Sequence, residues 1–169
     1  MSLLDILSQY ASSALPQADT ASHFDTAAQQ ASPADLGGAL ASMFRSSATP
    51  AFGQQIGDLF NRSNPSQQAG LLNQILQSVG PSALGAAGGV LGSILGTGAA
   101  SGGTMPTITP EQASQVSPAD VQAIANHAEQ HDPSIIDRAG AFYAQHPTLV
   151  KSLGVAALAL TMSHLSNRV

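Results

Sequence analysis

Two histidines four residues apart are the one ligand-like spacing in the chain. His127-Ala-Glu129-Gln-His131-Asp132 puts both imidazoles on one face of any helix that holds them, close enough to share a divalent metal. The order is not that of a zinc protease, where the glutamate directly follows the first histidine. Both histidines also end a polar helical stretch, where partial positive charge suits the negative end of the helix dipole. That electrostatic role is the expectation. His127 and His131 stay as candidates for a metal, and no cofactor is implied.

Other chemistry lacks its residues. There is no cysteine, so disulfides, thiolate metal sites and cysteine nucleophiles are excluded. No Gly-x-Ser-x-Gly elbow, phosphate loop ending in Gly-Lys-Ser/Thr or kinase set occurs. Asp120, Glu129, Asp132 and Asp137 are spaced as helix-face and cap residues, without apolar flanks to lift a carboxylate pKa. Gly96-Thr-Gly98-Ala-Ala-Ser101 approaches a dinucleotide fingerprint, yet Gly-Gly-Thr-Met-Pro follows it where a helix is required. Asn61-Arg-Ser63 fits a glycosylation acceptor formally, but residues 1–20 have neither the basic start nor the apolar core of a secretory signal. The expectation is a cytoplasmic protein that is not an enzyme. Export by a route needing no cleaved signal would leave no trace here.

Charge is scarce. Charged residues make up 9% of the 169 residues, against about 25% in ordinary domains. Ala, Ser, Gln and Gly take their place, and a net charge of −5 lets like molecules approach. The basic residues Arg45, Arg62, Arg138, Lys151 and Arg168 form no patch able to neutralise phosphates, so nucleic acid is not an expected partner. The expected partner is another copy of the chain, with membrane lipid as the alternative.

The elements that would position these residues are punctuated by proline. Ser32-Pro33, Thr49-Pro50, Asn64-Pro65, Thr109-Pro110, Ser117-Pro118 and Asp132-Pro133 each set a capping side chain before a residue suited to the first helical turn. Gly80-Pro81 and His146-Pro147 mark further starts, and Ser2 with Asp5 has the form of a capping box opening a helix that Pro16 ends. The repeated Ser-Pro-Ala-Asp at 32 and 117 reads as shared cap chemistry rather than as a duplication.

Between these starts the apolar residues recur at helical spacing: Leu36, Leu40, Met43 and Phe44, then Phe52, Ile56, Leu59 and Phe60, then Leu71, Leu72, Ile75, Leu76 and Val79. No stretch alternates long enough for a sheet, so the fold is predicted to be all-α. Three last helices are predicted from Pro118, Pro133 and Pro147. The last is apolar around its circumference and suited to a core, with Val121, Ile124, Ala125 and Ala128 covering one side.

Pro81 to Ala100 contains no charge and presents Gly85, Gly88, Gly89, Gly92 and Gly96 on one helical arc, with Leu84, Val90, Leu91, Ile94 and Leu95 on the other. Each interior glycine costs about 1 kcal/mol of helix propensity relative to alanine, so such a helix needs a closely packed partner. Small residues four apart allow that approach. These five glycines are the predicted self-association site.

The resulting plan has a helical region over 1–96 ending in the glycine-rich helix, a Gly/Thr/Ser linker over 97–107, and a C-terminal helical bundle over 108–169. The function expected is self-assembly into a homo-oligomer, shell or filament. The alternatives are a membrane-inserting or pore-forming protein built on the two apolar helices, and a metal-binding module at His127 and His131.

Overall fold

A computed structural model describes residues 2–11, 18–80, 93 and 107–168. The fold is all-α, and no strand occurs among the described residues. The helices are α1 (Leu3–Ala11), α2 (Thr20–Gln30), α3 (Pro33–Phe44), α4 (Phe52–Arg62), α5 (Pro65–Val79), α6 (Pro110–Ala113), α7 (Pro118–His131), α8 (Ile135–Ala144), α9 (Pro147–Val150) and α10 (Val155–Ser166), with a 3₁₀ turn at Lys151–Leu153.

The cap chemistry accounts for most starts. Ser32, Asn64, Thr109 and Ser117 each accept the amide three residues on, followed by proline in the first turn. Asn64 with Gln67 and Thr109 with Gln112 bond reciprocally as capping boxes. Ser2 and Asp5 also exchange bonds, at 3.2 and 3.4 Å. Two expected starts differ. Thr49-Pro50 and Asp132-Pro133 sit in turns that hand over to helices at Phe52 and Ile135. The start at Pro147 holds, with His146 as a cap that makes no side-chain bond. The single long helix expected from Pro147 is broken at Gly154, whose φ of 97° lies in the left-handed region that glycine tolerates.

The chain divides into two compact units, Met1–Ala51 with Ile136–Val169, and Phe52–Ile135. In unit 1, α10 packs on α1, α2 and α3. Ile6, Leu7, Tyr10, Phe24, Leu36, Leu40, Phe44, Tyr143, Leu158, Met162 and Leu165 form its buried core. Each fully buried large side chain there contributes about 1.5–3 kcal/mol. In unit 2, α4 packs on α7, and α5 packs on α6 and α7. Its core is Phe52, Ile56, Leu59, Phe60, Leu71, Leu72, Ile75, Leu76, Val121, Ile124, Ala125 and Ala128.

This grouping differs from the expected division at 97–107. The residues expected to cover the last helix, Val121 to Ala128, are buried within unit 2 beside α4 and α5, while the last helix is covered by the N-terminal helices. The physical reason is that each apolar stripe needs a complementary face, and helical periodicity does not say which segment supplies it. Of the expected linker, residues 97–106 lie outside the described residues, as does Pro81 to Ala100 apart from Ser93.

Candidate functional site

Gly85, Gly88, Gly89, Gly92 and Gly96 lie outside the described residues. The described glycines show where this chain brings helices together. A Cβ on Gly140 in α8 would meet the Gly37 carbonyl oxygen, with the Ala41 amide at 3.0 Å and the Ala41 Cβ at 3.2 Å. In return, a Cβ on Gly37 in α3 would stand 3.1 Å from the Ala141 Cα. Backbone therefore lies against backbone, closer than any side chain allows. Phe44 and Tyr143 close the same crossing edge to face, with ring centroids 6.4 Å apart.

Unit 2 has its own glycine crossing between α4 and α7. A Cβ on Gly57 would lie 3.1 Å from the Pro118 carbonyl oxygen, and one on Gly53 would meet the Asn126 side chain and, at 2.8 Å, the Gln122 carbonyl. An open groove of about 400 Å³ runs beside this crossing, lined by Gln54, Gly57, Asp58, Pro118, Ala119 and Gln122. Gly37 and Gly140 carry no motif in the sequence. The spacing of Gly53 and Gly57, four apart on one stripe, was the available signal.

The histidine pair does come together. The rings of His127 and His131 are 4.2 Å apart and tilted by 50°. His131 is exposed at the last residue of α7, while Nε2 of the half-buried His127 is shut off from water without a hydrogen-bond partner. Asp132 beside them caps the helix and accepts the Ser134 amide at 3.1 Å. No group of three or more His, Asp or Glu able to hold a metal occurs among the described residues. The pair thus offers two of the four ligands of a closed zinc site. His146 stacks against Phe142 at 5.0 Å, and His164 is half-buried in α10.

Sequence reading missed a buried polar cluster in unit 1. The Tyr10 hydroxyl lies 3.2 Å from the Thr20 hydroxyl and 3.1 Å from His23 Nδ1, tying α1 to α2. Tyr10 and Thr20 are wholly buried, so these bonds satisfy groups that would otherwise cost about 1–3 kcal/mol. In unit 2 the corresponding tie is an amide clip. Asn73 Nδ2 donates to the Ile108 carbonyl at 3.0 Å, and the Ile108 amide donates to Asn73 Oδ1 at 2.8 Å.

Electrostatics are sparse. Arg45 donates two bonds to Asp137, at 3.0 and 2.9 Å, and Lys151 one to Asp25 at 2.9 Å. The Arg45 hydrogen bonds hold the Asp137 carboxyl below the usual carboxylate range; partial burial opposes them, and the charges of Arg45 and Arg168 add smaller effects in the same lowering direction. Hydrogen bonds from its own backbone amide and from Thr109 do the same for the exposed Glu111. No helix among the described residues is long and apolar enough to cross a membrane. No protein-family model, curated protein or solved structure matches the chain.

Proposed function

We propose that this chain is a non-enzymatic assembly protein whose copies pack through the glycine ridge Gly85, Gly88, Gly89, Gly92 and Gly96. The observation that carries the reading is the crossing of Gly140 on Gly37 and Ala41, where backbone meets backbone. A chain that uses glycine for close helix contact within its fold also carries Gly85, Gly88, Gly89, Gly92 and Gly96 at helical spacing in a tract without charge. Five interior glycines cost a helix about 1 kcal/mol each, and close packing against a second copy is what offsets that cost. A low-charge surface permits the approach.

The test is Gly92→Leu in the full chain, compared with the unchanged protein by light scattering. A leucine on the ridge raises intrinsic helicity while blocking contact, so particles should shrink toward the monomer. Particles of unchanged size would overturn the ridge as the site.

A further inference from the structure

The two units share features of plan that follow from where their helices start. From Ser32 the chain runs α3, α4, α5. From Ser117 it runs α7, α8, then α9 and α10. Ser-Pro-Ala-Asp opens both runs; Asn64-Pro65 opens α5, and His146-Pro147 opens the short α9 that precedes α10. Counted from each Ser-Pro-Ala-Asp, Leu36, Ala39, Leu40 and Met43 fall on Val121, Ile124, Ala125 and Ala128, and all eight are buried. The repeated tetrapeptide thus opens two helical runs, or repeats, whose first helices bury the same four positions.

The pairing runs across the repeats. In unit 2 the second helix of the first repeat, α4, lays its glycines on the first helix of the second repeat at Gln122 and Asn126. In unit 1 the second helix of the second repeat, α8, lays Gly140 on the first helix of the first repeat at Gly37 and Ala41, the same two positions counted from Ser-Pro-Ala-Asp. The third helices follow suit. Helix α5 packs on α6 and α7, and α10 packs on α2 and α3. Each unit thus joins the front of one repeat to the back of the other, an exchange of equivalent elements between repeats.

Such a joint reads the repeat and is indifferent to which molecule supplies it. Unit 2 is continuous in the chain and closes on itself. Unit 1 is assembled from two arms, 2–51 and 136–168, separated by all of unit 2. We propose that the two arms are the joint between copies: the N-terminal arm of one molecule closes on the C-terminal arm of a second, linking copies head to tail. A heterologous link of this kind yields rings where the rotation closes and filaments where it does not. The inference rests on the assembly reading and supplies it with a joint that does not use the glycine-rich segment.

Contacts made and lost on exchange are the same, so concentration decides. Closure within one chain prevails in dilute solution, because the two arms of one chain are tethered to each other. Exchange gains as protein concentration rises, or where neighbouring copies are already held together.

The absence of cysteine makes a direct test available. Arg45 and Asp137 touch across the joint and are 43% and 59% exposed, so cysteine at either leaves the core intact. Full-length Arg45→Cys and Asp137→Cys chains are unfolded, mixed, refolded together at roughly millimolar concentration, and treated with a short bis-maleimide. Circular dichroism checks that each variant is helical. A covalent heterodimer in the mixture, absent from either variant alone, is the expected result. No dimer in the mixture, with the Arg45→Cys/Asp137→Cys double variant cross-linking wholly within one chain, overturns the joint. Sedimentation of the same samples separates the two ideas: particles without heterodimer leave assembly standing and remove the joint, and monomer throughout removes both.

Discussion

Unit 1 and unit 2 solve one packing problem with different means. Unit 2 closes over a continuous stretch, and two of its ties are neutral: the Asn73 clip on Ile108 and a glycine crossing partly lined by the side chains of Gln122 and Asn126. Unit 1 closes over segments from opposite ends of the chain. Its crossing is glycine backbone on backbone, its polar centre is the buried Tyr10, Thr20 and His23 cluster, and two ion pairs, Arg45 with Asp137 and Lys151 with Asp25, bridge its arms. Local closure costs less loop entropy because the chain already holds the partners near each other. Closure of distant arms needs contacts that select the right face, and tight fit with charge pairing provides them.

The largest expected effect tests whether the units stand apart. Phe24 is wholly buried in unit 1, so Phe24→Ala should cost about 3–5 kcal/mol. Hydrogen exchange should then show lost protection in α2, α3 and α10 and retained protection in α4, α5 and α7. Equal loss in both units would erase the distinction between them.

Next come the crossings themselves. At Gly140 an added methyl meets the Gly37 carbonyl and the Ala41 amide, both backbone, and Gly140→Ala should cost about 1–3 kcal/mol by overpacking. At Gly57 the nearest atom stands off at 3.1 Å, and the gain in helix propensity of about 1 kcal/mol offsets the squeeze. Gly57→Ala should therefore be near neutral in a denaturant titration. Equal damage at both would mean that the crossings are equally tight.

The smallest effect concerns charge. Asp137→Asn should lower stability by less than about 1 kcal/mol, since the pair is more than half exposed on the aspartate side and screened by water. Because Arg45 depresses the folded-state pKa, the contribution is present above the unfolded value near 4 and disappears as pH falls through the lower folded value. The difference between Asp137→Asn and the unchanged protein should thus vanish in acid unfolding below that range. A difference that persists there would assign the effect to packing.

The helices were legible because proline and its preceding cap act locally: Ser32, Asn64, Thr109 and Ser117 each did in the fold what their spacing said. The stripes on α3, α4, α5 and α7 were legible for the same reason, being periodic within one helix. Pairing was not. Leu36 and Val121 both read as core positions, yet nothing in either stripe says that α3 meets α8 and α10 while α7 meets α4 and α5. The break at Gly154 was hidden because an apolar run continues on both sides of it. His127 and His131 were found as a pair, while Tyr10, Thr20 and His23 were not, since their meeting depends on how α1 lies on α2. Of the glycines that make close contact, Gly37 (beside Gly38) and Gly140 carry no spacing motif, while Gly53 and Gly57 stand four apart on one stripe.

The direct test of assembly is sedimentation velocity of the unmodified chain over a wide range of concentration. The expected result is a mean mass that climbs well above the 17.0 kDa of one chain as concentration rises. A single species of 17.0 kDa at every concentration would contradict it.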